Sequence, residues 1–292
     1  MDDTLTHVSA GRKLKDLTAK VLVGAAFGLA VIPLVSVLWM VVKNGLARFD
    51  LDFFTHSMRN IGPFDAHGGA YHAILGTLQQ VALAALISIP IALLTAIYLV
   101  EYGEGGRLAR SISFFVDVMT GIPSIVAGLF ILAFWVLGLG MSFSGFAGAL
   151  ALSILMMPVV VRSAEEMLRL VPNELREASL ALGVPKWRTI VKIVLPTAFT
   201  GIVTGVMLAV ARVAGETAPL MLTVFFTDSI NNSAFSGAQM GLPLFVFDQA
   251  GKPNPTAIDR AWTGALTLIL IVMLLNLGAR LIAWWRRPAT SR

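Results

Sequence analysis

The chain has 292 residues, of which 57% are hydrophobic and 13% charged, with a formal net charge of +5. A water-soluble domain carries roughly 25% charged residues, so this chain cannot cover its surface with groups that water accepts, and lipid must solvate much of it. It has no cysteine, which excludes disulfides, thiolate metal sites and cysteine nucleophiles; scattered Trp and Tyr and the lack of a long Lys/Arg run argue against nucleic-acid binding.

Residues 1–20 form a tail containing Arg12, Lys13, Lys15 and Lys20. The apolar run Val21–Val42 is too long for a signal-peptide core and lacks a small-residue cleavage site, so it is read as a retained first transmembrane helix. Asn44–His72 mixes Phe49, Leu51, Phe53 and Phe54 with polar residues and is expected along the outer membrane interface. Five further spans lie within a core at 73–285: roughly Ala73–Val100, Ser111–Leu139, Met141–Val161, Thr197–Val224 and Ala261–Trp285. Kinks are expected at Pro33, Pro90, Pro123 and Pro158, where neighbouring helices can satisfy the freed carbonyls. Thr227–Asp259, rich in Ser, Asn, Gly and Pro, reads as an outer loop. The fold class is therefore all-α, a polytopic bundle of six transmembrane helices; the alternation of a membrane barrel is absent, and so is any strong internal repeat.

Orientation follows from the basic residues. The tail, the connections around Arg107–Arg110 and Arg162–Lys192, and the far end with Arg280, Arg286, Arg287 and Arg292 carry sixteen Lys and Arg on one side. Lys43, Arg48, Arg59, Lys252 and Arg260 make five on the other. Both termini are expected in the cytoplasm.

Residues 162–196 place ten charged residues between two apolar spans. Val171-Pro172 and Val184-Pro185 read as helix starts, and Gly183 as a helix stop. A short helix is predicted from about Pro172 to Leu182, followed by one running into the fifth span. Leu175, Ala178, Ser179 and Leu182 share one face, with Glu174, Arg176 and Glu177 off it. Such a helix along the membrane surface suits docking into a groove of a soluble partner.

Glu177-Ala178-Ser179, then Gly183, then Ile193-Val194-Leu195-Pro196 match the spacing of the EAA loop of binding-protein-dependent ABC importer permeases, with Ser179 in place of the second alanine. The chain resembles that family. The resemblance implies that Glu177, Ala178, Ser179, Gly183, Ile193, Leu195 and Pro196 belong to a coupling loop seated on an ATP-binding subunit. It also implies the type I ABC importer permease (MetI-like) architecture. No G-x-x-x-x-G-K-[ST] occurs in the chain, so ATP and Mg²⁺ are expected on a partner subunit, with no cofactor bound here.

Arg212 lies within the fifth span and Glu216 follows four residues later, a spacing that puts both on one helix face. A charge there costs roughly 3 kcal/mol or more, which leaves two readings: a packing ion pair, or an anion path. Arginine suits the second, being permanently charged with a planar fork that matches oxyanions. Phosphate near neutral pH keeps a P–OH that can donate to a carboxylate such as Glu216; sulfate does not. Arg212-Val213-Ala214-Gly215-Glu216-Thr217-Ala218-Pro219 is similar to the R-x-x-G-E-T-A-P segment of phosphate importer permeases of the PstA type. Asp117 to Val126 is similar to that family's D-x-x-x-G-I-P-S-I-V. Tyr98-Leu99-Val100-Glu101-Tyr102 and Asp259-Arg260-Ala261-Trp262 agree as well, whereas Phe247-Asp248-Gln249-Ala250 departs from its more usual Asn-Tyr version. The resemblance runs from about residue 70 to the end.

What it implies is a permease subunit that catalyses no covalent chemistry, with Arg212, Glu216 and Thr217 in the substrate path and Asp117, Thr120 and Ser124 at the path or a gate. Implied partners are a homologous permease of the PstC type, two copies of an ATP-binding subunit, an extracytoplasmic phosphate-binding protein, inorganic phosphate and the lipid bilayer. From the residues alone, Asp117 is expected to pair with Arg110 or Arg107, or to touch a neighbouring subunit. His7, His56, His67 and His72 are read as surface or interface residues rather than metal ligands. Another oxyanion such as sulfate, molybdate or phosphonate, an ion-coupled carrier and a membrane enzyme are the alternatives. The Glu216-Thr217-Ala218-Pro219 segment, the EAA spacing and the lack of a nucleophile–base or metal constellation weigh against them in turn.

Overall fold

A computed structural model describes residues 10–285 apart from Pro63 and Glu104. His7, Arg286, Arg287 and Arg292 lie outside the described residues. The described elements are α1 (Ala10–Gly45), α2 (Leu51–Thr55), α3 (Tyr71–Ile97), α4 (Arg107–Thr120), α5 (Ser124–Ile131), α6 (Gly145–Arg169), α7 (Asn173–Ala181), α8 (Lys186–Thr189), α9 (Leu195–Ala214), α10 (Ala218–Thr223), α11 (Leu242–Ala250) and α12 (Pro255–Trp285). Turns of π-helix extend α3 over Tyr98–Tyr102 and α5 over Leu132–Gly138, and join α8 to α9 over Ile190–Val194. Among the described residues five helices are long and apolar enough to cross a membrane, or six spans if α4 and α5 are taken as one bent span.

α6 is the centre of the bundle. Its small residues Ala147, Gly148, Ala149 and Ala151 are buried, and Ala84, Ala92 and Ala96 of α3 are fully covered. Without a hydrophobic drive between helices in lipid, such small residues let backbones approach and collect dispersion contacts. α9 closes on α6 in the same way: a Cβ on Gly205 would stand 2.3 Å from that of Ser163. α1 lies outside this core. None of its most apolar stretch is buried, and it is fixed at its far end, where Thr263 of α12 donates to the Gly45 carbonyl at 2.9 Å. Helix already begins at Ala10, inside the expected tail.

Two expected spans differ from continuous rods. Ser111–Leu139 is broken at Gly121-Ile122-Pro123, where α4 and the α5 segment meet at 105°. Pro33, Pro90 and Pro158, by contrast, sit inside α1, α3 and α6. The other break divides Thr197–Val224: α9 ends at Ala214 and α10 begins at Ala218. Both breaks carry glycine and proline beside polar residues, Thr120-Gly121-Ile122-Pro123-Ser124 and Gly215-Glu216-Thr217-Ala218-Pro219. The expected outer interfacial segment also folds inward at one point. Phe53 of α2 is fully buried and meets the ring of Phe245 edge-on at 6.3 Å. The Asp50 side chain accepts from Phe53 N–H at 2.9 Å and caps α2.

Candidate functional site

The α9–α10 break sets the geometry of the first candidate group. Arg212 occupies the last turn of α9. Gly215 N–H turns back to the Arg212 carbonyl at 3.2 Å, and Glu216 N–H to the Val213 carbonyl at 3.2 Å. Thr217 precedes the first turn of α10. The helix thus ends between Arg212 and Glu216, and the ion pair, one of the two readings of these residues, does not form. Among the described residues neither side chain has a hydrogen bond or ion pair. Arg212 is exposed, while Glu216 and Thr217 are half-buried.

The two broken elements pack on each other. A Cβ on Gly128 of α5 would lie 2.7 Å from Pro219 Cα of α10, so only glycine permits this approach. Ser124, half-buried, opens α5 just past the bend. Thr120 closes α4, with its hydroxyl donating to the Asp117 carbonyl at 2.6 Å. Asp117 itself pairs with Arg162 of α6, not with Arg107 or Arg110. Arg162 also donates to Glu165 at 2.6 Å and to the Ser113 carbonyl at 3.0 Å, and Arg169 holds the other Glu165 oxygen at 2.7 Å. A four-charge chain therefore ties α4 to α6.

The second group is the loop after α6. α7 follows Pro172 and α8 follows Pro185, as expected. Gly183 has φ +73°. Its N–H reaches the Leu180 carbonyl at 2.9 Å, and Val184 N–H reaches that of Ser179 at 3.2 Å. This pair of bonds is a Schellman stop, which favours glycine because a Cβ is strained at positive φ. The expected face is only partly right. Ser179 turns inward and is buried, its hydroxyl 2.8 Å from that of Thr189. Leu175, Leu180, Leu182 and Trp187 are exposed, and so are Glu177, Ala178 and Gly183. Ile193, Leu195 and Pro196 lie at the π-turn and start of α9, with Pro196 exposed.

At the opposite end of the bundle the Arg260 guanidinium is buried and donates to Gln249 Oε1 at 3.1 Å and to the carbonyls of Asp65 and His67 at 2.9 and 3.1 Å. Burial pushes the nearby Asp228 carboxyl above its usual value, and Asp248 adds to this against the pull of Lys252 and Arg260. His56 and His67 are exposed and both face Asp52. His72 departs from expectation: it is buried against Phe245.

Residues 88–291 match the binding-protein-dependent transport system inner membrane component family. The chain belongs to that family. It is 50% identical over 282 residues to the phosphate transport system permease protein PstA 1 of Mycobacterium tuberculosis (strain CDC 1551 / Oshkosh), covering 96% of this chain and 91% of that one. The phosphate transport system permease protein PstA of Pasteurella multocida (strain Pm70) is 38% identical over 270 residues, covering 92% and 95%. Among solved structures, the MetNI methionine ABC transporter in an inward-facing conformation matches with a TM-score of 0.60 at 22% identity over 75% of this chain and 95% of that one. A bacterial ABC transporter importing alginate matches with 0.63 at 14% identity over 93% and 98%. The fold is thus that of the type I ABC importer permeases, and the chain is a multi-pass membrane component of a transport system.

Within this inner membrane component, sequence reasoning missed Glu101, Arg162 and Glu165. An acidic residue at the end of an apolar span calls for a named partner, and that signal was present at Glu101.

Proposed function

We propose that this chain is a permease subunit of an ATP-driven phosphate importer, forming half of the path with a homologous permease of the PstC type. Its relatives' names supply the substrate. One structural observation supports the path: the fold leaves Arg212 exposed, and unpartnered among the described residues, at the break of a membrane span. A fixed cation without an internal counter-charge attracts an anion, and its exposed position suits a path completed by a second subunit. Glu216 and Thr217 follow at the break, while Thr120 and Ser124 flank the α4–α5 bend as gate elements, with Asp117 holding α4 in place.

The exposed α7 loop then docks one of two copies of an ATP-binding subunit, which carries ATP and Mg²⁺. An extracytoplasmic phosphate-binding protein delivers substrate at the opposite face, and both termini are cytoplasmic. ATP binding draws the ATPases together, moves α7 and opens the path outward; hydrolysis resets it. Each ligand shifts this equilibrium only by its differential affinity for the two states.

The test is labelled-phosphate uptake by the reconstituted complex with Arg212→Gln. Loss of uptake with all subunits still co-purifying supports the path. Undiminished uptake makes Arg212 a packing residue, and a native complex that moves sulfate but not phosphate overturns the substrate.

A further inference from the structure

The loop that carries α7 is continuous with α9 through α8 and the Ile190–Val194 π-turn. It also follows the end of α6 through Leu170–Pro172, and a side chain ties it to the π-turn that ends α3, with which it is not continuous. Arg176 of α7 donates to Glu101 Oε1 through Nε at 3.0 Å and through Nη2 at 2.8 Å. The same guanidinium reaches the Leu168 carbonyl at 2.9 Å and the Val171 carbonyl at 2.6 Å, at and just beyond the end of α6. The Glu101 and Arg176 side chains are only 5% and 16% exposed.

Local backbone geometry puts Glu101 there. The Gly103 N–H closes a five-residue turn on the Tyr98 carbonyl at 2.7 Å. A π-turn inserts one residue into the helical register and so re-aims the side chains that follow. Lys186 of α8 sits over the Tyr102 ring, 5.1 Å from its centroid, as a second tie between the loop and this turn. The Ser179–Thr189 hydrogen bond keeps α7 and α8 together.

We propose that the Glu101–Arg176 ion pair is a positioning latch that carries movement of α7 into α3, so that the loop drives three membrane helices rather than only α6 and α9, to which the chain already joins it. The proposal rests on the reading of α7 as the docking helix for an ATP-binding subunit. A buried pair is a poor device for stability alone, because its desolvation offsets much of the attraction. What it supplies is direction. The planar guanidinium fixes both distance and angle to several acceptors at once, so rotation of α7 displaces Glu101 and the α6 carbonyls with it.

The experiment compares the native importer with Glu101→Gln, Arg176→Gln and the double variant in proteoliposomes. It reads phosphate moved per ATP hydrolysed, alongside co-purification of the ATPase. The expected result is a bound, hydrolysing ATPase with the ratio down about tenfold in each single variant and no further in the double. An unchanged ratio with the ATPase still bound overturns the latch and leaves the docking reading intact. Failure of the native chain to retain the ATPase overturns the docking reading and the latch with it. If the glutamine variants do not accumulate, Glu101→Cys with Arg176→Cys joined by a short bis-maleimide decides, since this chain has no native cysteine. A higher ratio after cross-linking supports the latch, and equal ratios with and without the cross-link overturn it.

Discussion

Arg162 of α6 holds the carboxylate of Asp117 at the last turn of α4, beside the 105° bend into α5. The two partners do not contribute equally. Asp117 is 65% exposed, whereas Glu165, which Arg162 also holds, is 7% exposed. Removing Asp117 leaves Arg162 with Glu165 and the Ser113 carbonyl, and an exposed pair is worth about 0–1 kcal/mol. Removing Arg162 leaves a buried carboxylate with Arg169 alone, a loss of about 1–3 kcal/mol. Thermal unfolding in nanodiscs is therefore expected to show a clearly larger fall for Arg162→Gln than for Asp117→Asn. Equal falls would mean that the pair acts as an isolated surface bridge.

Gly183 gives a cleaner test of the loop. Nothing stands within 4 Å of a Cβ added there, so the site has room, yet φ is +73°. Gly183→Ala is expected to cost about 1 kcal/mol through backbone strain alone, and Gly183→Asn less, because Asn tolerates the left-handed region. Limited proteolysis of the α7–α8 segment should rank native, Asn and Ala in order of increasing cleavage. Gly278 also meets nothing within 4 Å and has no positive φ. Gly278→Ala is the control that should leave cleavage unchanged.

Gly183 was legible because a helix stop is written in adjacent residues. The EAA spacing and the spans were legible for the same reason: period and composition are local. The bend at Gly121–Pro123 was legible as a kink at Pro123, but neither its 105° angle nor the break at Gly215–Thr217 was. α5 packs against α10 beside both turns, a contact that spacing along the chain does not show. Of the two readings of Arg212 and Glu216, the ion pair does not form, since a four-residue interval implies a shared face only while the helix continues and α9 ends between them. Asp117 found Arg162 rather than its sequence neighbours because α4 folds back along α6. Phe53, expected along the outer interface, and His72, expected at a surface or interface, are both buried where α11 brings Phe245 against them.

Asp50 yields a pH prediction. Burial acts to raise its carboxyl, but the Phe53 N–H and Arg48 outweigh this and hold it below the ordinary 3.8. A lowered value means that the folded state favours the ionised form. The stabilisation is fully present above pH 3.8 and is lost as pH falls through the lower folded value. Asp50→Ala is expected to cost about 1 kcal/mol at neutral pH as a lost cap. The gap between variant and native in unfolding assays should shrink as pH drops below 3.8. A gap independent of pH would assign the cap's contribution to shape rather than charge.

Glu216→Gln separates the two possible roles of that carboxylate. Were it a packing partner of Arg212, its loss would destabilise the chain; it is half-buried and unpaired among the described residues, so stability and co-purification should hold. As acceptor for a phosphate P–OH it makes a charge-assisted hydrogen bond, worth about 1.5–3 kcal/mol. Neutral glutamine keeps the shape and loses the charge, so phosphate uptake by the assembled complex should fall roughly tenfold or more. Sulfate has no proton to donate, and its competition against phosphate should strengthen in the variant. Unaltered uptake and unaltered sulfate competition in a correctly assembled complex would remove Glu216 from the path and leave Arg212 to act without it.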